Sequence, residues 1–330
     1  MNAVQDVAAS QNSQRGQSSE PGQGWRRWVV YQRERFPLVG HAPLVAAFSG
    51  SAVCLSSMLR GRIAVPPISS LVVAFVTSLL FFLQLRIADE FKDFEDDSRH
   101  RPYRPVPRGL VTLRELAWIG GGAAGVQLLL ALALDPTIVW LLAIAWVYLA
   151  LMTREFFAPR WLKRHPVVYM TSHMAILPLV DLYATACDWW VAGHHRLPRG
   201  LYWFLIVSYL NGLVIEIGRK TRVPIDEEPG VETYSALWGT GGAIRAWMLA
   251  VLATALAAWR AAARIGTSEA MLALLALLVI ACAAAAARVH RSTGAGGGKA
   301  IEVMSGAWTI FMYIGLGAAP LAWRLWQQRQ

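Results

Sequence analysis

The chain has 330 residues, 55% of them hydrophobic and only 16% charged, with a mean hydropathy of +0.39. A water-soluble domain carries about 25% charged residues, and the apolar residues here fall in long runs, so composition excludes a soluble globular protein and indicates a polytopic membrane protein. The net charge of +10 comes with no basic stripe set in a nucleic-acid-binding fold, so it reads as membrane topology and contact with anionic lipid, with no nucleic-acid partner.

In chain order, residues 1–24 are rich in Gln, Ser and Gly and lack an apolar core, which reads as a disordered tail and not a signal peptide. With the basic residues up to 36 they form a tail and interfacial segment, ahead of a membrane domain over 37–326. Nine helical spans are expected near 42–59, 68–88, 115–134, 137–154, 167–188, 201–217, 240–259, 269–287 and 304–325, each near bilayer length. Turn signals separate them: Pro66-Pro67, Asp135-Pro136, Pro198-Arg199-Gly200, Gly266 and the Gly294–Gly298 run. That last run lacks the context of a nucleotide loop and reads as a flexible connector. Several of the 15 Trp lie near predicted helix ends, as interfacial anchors do. Cys54, Cys187 and Cys282 have no metal-ligand spacing and read as small apolar residues.

Basic residues set the orientation. With the N-terminus cytoplasmic, the tail and the loops after even-numbered helices carry 19 Arg and Lys, from Arg15 through the Arg99–Arg108 and Arg219–Arg222 groups to Lys299. The other side carries eight, from Arg60 to Arg329. The bias predicts an integral protein of the inner (cytoplasmic) membrane, N-terminus inside. The fold class is all-α, nine transmembrane helices around a central cavity. The two longest polar loops, four helices apart, suggest an internal four-helix duplication plus one helix.

The first of those loops carries Asp89, Asp93 and Asp97, spaced by four at the end of a long apolar segment. On a continued helix they lie close to one face. Carboxylates so stacked repel one another unless a cation sits between them, and oxygen-only ligands suit Mg²⁺ shared with a substrate phosphate. Arg99, Arg101 and Arg104 follow at once and can neutralise that phosphate, which points to chemistry on a lipid-like diphosphate. The plainer reading is a solvated loop of mixed charge. The second loop carries Glu216, Arg219, Lys220, Arg222 and the run Asp226-Glu227-Glu228. Glu216, with Asp226 and a neighbour such as Glu227, can hold a second Mg²⁺ while Arg219, Lys220 and Arg222 take diphosphate oxygens. Equally, Glu216 can form an ordinary helix-end salt bridge with Arg219 and Lys220.

Asp89-x-x-x-Asp93-x-x-x-Asp97, followed by His100-Arg101-Pro102-Tyr103-Arg104-Pro105, resembles the first motif of the UbiA superfamily of intramembrane prenyltransferases. The helix count and the acid loops after helices 2 and 6 match it as well. Asp89 stands where that family usually has Asn, and the second loop only approximates its usual Asp-x-x-x-Asp. The resemblance implies a Mg²⁺-dependent transfer of an isoprenyl group from a prenyl diphosphate to an aromatic or lipid acceptor, through an allylic cation.

Asp181 lies near the middle of the fifth span, where an ionisable group is costly and faces a cavity or a partner. It is a candidate for orienting the acceptor or acting as a base; pairing with His173, Tyr169 or Tyr183 is the structural alternative. Rival functions are a cation transporter, which would need acids along a mid-membrane path, and a catalytically silent member of the family.

Overall fold

The computed structural model describes residues 24–330 other than Pro229 and Thr293, so the tail read over residues 1–24 lies almost wholly outside the described residues. A short helix, α1 (Arg26–Arg35), precedes the membrane domain. Among the described residues nine helical segments are long and apolar enough to cross a membrane. The first four are α2 (Leu38–Leu59), α3 (Ile68–Lys92), α5 (Leu113–Leu134) and a segment ending in α6 (Val139–Thr153), with the short α4 (Phe94–His100) between α3 and α5. After α7 (Pro159–Arg164), the fifth span is α8 (Pro166–Met174) plus α9 (Ile176–Trp189). Then come α10 (Leu201–Arg219), α11 (Tyr234–Arg264), α12 (Ser268–Arg291), and α13 (Lys299–Leu316) continued by α14 (Ala318–Gln327).

Three spans are broken, each for a local reason. Pro178 has no N–H for the carbonyl of Met174, and the fifth span divides between α8 and α9 at Ala175. Pro320 likewise cannot bond to Leu316, and the ninth span bends at Gly317. Gly317 also lets two backbones touch, since a Cβ there would lie 2.1 Å from the Ser51 carbonyl oxygen of α2. α11 begins at Tyr234, capped by Thr233, and kinks at Gly239, whose φ of 69° favours glycine. The expected seventh span began at 240, just past this kink.

α2 packs against α3, α9, α13 and α14, and α10 against α8, α9, α11 and α13; α5, α6 and α12 lie outside them. The interior is filled by large, fully buried side chains: Phe81, Tyr183, Phe204, Trp247, Trp308 and Tyr313. Rings interlock there, with Tyr313 5.0 Å from Phe48 and 5.7 Å from Phe204. The helix packing does not by itself establish a four-helix repeat. At the end of the bundle where α2 stops, Arg60 and Asp188 form a bidentate pair, Nε to Oδ2 at 3.0 Å and Nη2 to Oδ1 at 2.7 Å, and Ser56 also donates to Asp188. Both side chains are largely buried, so the pair ties α2 to α9.

The tightest helix approach is at Gly218. A Cβ there would fall 2.0 Å from Ser305 Oγ, which already accepts the Trp247 indole N–H at 2.8 Å. Gly218→Ala is therefore expected to destabilise the bundle by about 1–3 kcal/mol through overpacking. Gly306→Ala, where a Cβ meets nothing within 4 Å, is the control. Thermal unfolding in detergent should show a lower midpoint for the first variant only.

Candidate active site

The acid ladder survives a break in its helix. α3 stops at Lys92 and α4 starts at Phe94, with Asp93 at the bend (φ −91°, ψ 1°). The continuous helix expected over Asp89–Asp97 is thus interrupted, yet the backbone keeps its spacing: Asp93 N–H donates to the Asp89 carbonyl, Asp97 N–H to Asp93, and Arg101 N–H to Asp97.

The three carboxylates have different surroundings. Asp89 lies between two cations, 3.6 Å from Arg86 and 3.6 Å from Lys92. Asp97 is buried and accepts from Arg104 at 2.5 Å and Arg101 at 3.4 Å. Asp93, half-buried between them, has no ion pair or side-chain hydrogen bond among the described residues. Burial first, then the charges of Asp89 and Asp97, hold its carboxyl above the usual carboxylate range. Asp96 points away and meets Lys163, before the fifth span, at 3.3 Å.

The second loop folds against the first. A Cβ on Gly230 (φ 79°) would lie 2.7 Å from the His100 ring, so the two acid loops meet at one end of the bundle. Glu216, buried in the last turns of α10, accepts from Arg219 Nε at 2.6 Å and pairs with Lys220 Nζ at 3.0 Å. The Lys220 ammonium also sits 5.6 Å from the Tyr234 ring centroid. Arg222 is engaged within its own loop, donating to the Asp226 carbonyl and to Glu228. Both carboxylate oxygens of Asp226 accept the Gly296 N–H, at 2.9 and 2.8 Å. Glu227 accepts from Thr233 through Oε2, and its Oε1 is buried without a partner. The Gly-rich run expected as a flexible connector is therefore pinned to Asp226. Its Gly298 also packs where a Cβ would fall 2.4 Å from the Thr221 carbonyl oxygen.

Several residues at this end carried no sequence signal for a site. Lys92 donates to Tyr169 at 3.2 Å and Tyr169 to Glu155 at 3.4 Å. The Tyr169 ring stacks on His173 at 3.9 Å. Glu155, Phe156 and Phe157 form a left-handed turn with φ of 48°, 51° and 59°, which sets Phe156 edge-on to Tyr148 and His173. α1 closes the same end: Arg35 pairs with Glu90, Arg108 with Glu34 and Arg27 with Glu115.

Asp181 lies apart from both loops. It is fully buried and accepts from Tyr313 OH of α13 at 2.9 Å. Among the described residues its Oδ1 has no hydrogen-bond partner, as is true of Ser208 Oγ and Asn211 Nδ2 on α10. Its hydrogen-bond partner is neither His173 nor Tyr169 nor Tyr183; Tyr313 is 132 positions away, which sequence proximity cannot find.

No three His, Cys, Asp or Glu side chains among the described residues converge as a ready-made metal cage. Mg²⁺ does not require one, since it usually keeps several waters and uses one or two carboxylates plus substrate phosphates. An unpartnered Asp93 flanked by Asp89 and Asp97, with Arg and Lys donors around them, fits that donor set.

No match was found among curated proteins. Among solved structures, the chain is similar to the apo structure of a UbiA homolog from Aeropyrum pernix K1, at 14% identity and a TM-score of 0.62, over 86% of this chain and 97% of that one. At that identity the likeness is one of fold. The model of the UbiA prenyltransferase family matches residues 49–313, which is well over half the chain and takes in both acid loops, so the chain belongs to the UbiA prenyltransferase family.

Proposed function

We propose that the protein is a Mg²⁺-dependent intramembrane prenyltransferase acting on a prenyl diphosphate and a hydrophobic acceptor. The observation that carries this reading is Asp93, a half-buried carboxylate with no partner, set amid basic side chains. UbiA family enzymes generally use a divalent metal. Asp93, with Asp89 and Asp97, would hold it, and when bound it would neutralise charge on the diphosphate.

The chain's own residues do the rest. Arg101 and Arg104 hold Asp97 in place and offer remaining N–H groups to diphosphate oxygens. Arg219 and Lys220 line the opposite loop. The prenyl carbon–oxygen bond breaks with both electrons leaving on the diphosphate. An electron pair of the acceptor forms the new bond to that carbon, and the acceptor's proton passes to a base or to water. The packed helices keep water from the allylic cation, and the prenyl tail lies along apolar helix faces open to the bilayer. Asp181, whose Oδ1 has no partner among the described residues, is the group we assign to the acceptor. A cation-transport path would need acids in line through the membrane, whereas the two acid loops meet at one end of the bundle and Asp181 stands apart from them.

The direct test is diphosphate release from a panel of prenyl diphosphates and a lipid extract, with and without Mg²⁺. No release under any combination would favour a silent family member. Asp93→Asn should lower turnover by more than the roughly 10–100-fold that follows loss of a metal's outer-shell partner. Asp96→Asn, at an exposed carboxylate paired with Lys163, should cost little. Equal losses would refute the assignment of Asp93.

The pH dependence follows from the same carboxyl. Metal binding needs Asp93 ionised, and its raised pKa means the proton returns at a higher pH than on an ordinary aspartate. Mn²⁺ affinity, measured by titration, should therefore weaken on acidification while ordinary carboxylates are still charged, and Asp93→Asn should remove that early phase.

Asp181→Asn retains an oxygen to accept from Tyr313, so the fold should persist. If Asp181 serves the acceptor, transfer should fall about 10²-fold or more while prenyl diphosphate binding stays unchanged. Unchanged transfer would leave Asp181 a structural role.

A further inference from the structure

We infer that the end of α10 provides a fixed cation of the protein's own, Lys220 with Arg219, where a second metal would otherwise sit, so that a single divalent ion serves the site. This rests on the proposed diphosphate chemistry and concerns how the diphosphate's charge is divided between metal and protein.

The two acid loops differ in what their carboxylates are free to do. In the first, Asp93 has no partner among the described residues. In the second, both oxygens of Glu216 are used, Oε2 by Arg219 and Oε1 by Lys220. The burial order matters as well. The Glu216 side chain is 7% exposed, against 46% for Arg219 and 33% for Lys220. The carboxylate is thus the more buried partner and the two cations the more exposed ones, so an approaching ligand meets positive charge first. One acid against two bases leaves this patch net positive, which repels Mg²⁺ and attracts a diphosphate.

The loop's other acids keep their charge but are held by contacts outside this three-residue cluster. Asp226 gives both oxygens to the Gly296 N–H, and Glu227 gives one to Thr233 while the other is buried. Lys220 is also held in place. Its ammonium rests against the Tyr234 ring, and its carbonyl accepts the Tyr234 N–H at 3.0 Å. A cation so fixed needs little reorganisation when charge develops on the leaving oxygen. Glu216 here is a positioning residue, orienting two donors from below.

The experiment counts metal. Full-length protein in lipid nanodiscs is titrated with Mn²⁺ in the presence of a non-hydrolysable prenyl thiodiphosphate, and free Mn²⁺ is read by electron paramagnetic resonance. One tightly bound Mn²⁺ per chain is expected. Two would overturn the inference while sparing the proposed function; none would overturn the proposed function itself. Lys220→Asp places a second carboxylate one turn from Glu216, and the count should rise to two; a count that stays at one overturns the charge argument. Lys220→Met should keep one Mn²⁺ and weaken analogue binding by roughly tenfold at every Mn²⁺ concentration, through loss of a direct charged contact. Unchanged analogue affinity would overturn the role given to Lys220. The wild-type count needs no variant, so the inference stays testable even if a substitution impairs folding.

Discussion

A charge taken out of water must be matched by another charge or by several hydrogen bonds, and that constraint shapes both ends of this bundle. At one end Arg60, Asp188 and Ser56 close a bidentate pair between α2 and α9. At the other, Arg35 meets Glu90, Arg104 meets Asp97, and Arg219 with Lys220 meets Glu216. Between the two ends the packing is mainly apolar and aromatic, with Asp181 held by Tyr313. Against these matched pairs, Asp93 is half-buried with no ion pair among the described residues.

The loops at the acid end are built as one piece. His100 fits against Gly230, Asp226 anchors Gly296, Gly298 closes on Thr221, and Lys163 reaches Asp96. Segments from after the second, fourth, sixth and eighth spans are thereby tied together. The glycines permit backbone contacts that a side chain would block, and the carboxylates fasten them. Acids that look alike in sequence thus sit differently, with Asp226 fastened to Gly296 and Asp93 half-buried without an ion pair among the described residues.

The long apolar runs made the nine spans legible, because a bilayer fixes their length. Their breaks were less legible. Pro178 and Pro320 mark them, yet the same residues are tolerated in unbroken membrane helices, as Pro43 is in α2. The first acid cluster was readable from its spacing by four, and the Glu216 salt bridge from i,i+3 and i,i+4 geometry. What the sequence could not disclose was pairing over distance. Tyr313 with Asp181, Gly296 with Asp226 and Tyr169 with Lys92 join separate spans or loops, and no local pattern marks them. For the same reason Asp226 and Glu227 read as possible ligands beside Glu216, with no local sign that Gly296 would donate to Asp226.

The left-handed turn at Glu155–Phe157 has a consequence for variation at these positions. Three successive non-glycine residues in that conformation cost about 1–2 kcal/mol each, and glycine would relieve much of it. Glycine would also remove the Glu155 contact with Tyr169 and the Phe156 ring beside His173. Stability and side-chain placement therefore pull in opposite directions at this loop. Selection for thermal robustness alone would drift toward glycine here, whereas selection for the arrangement around Tyr169 would hold the bulky residues in their strained form.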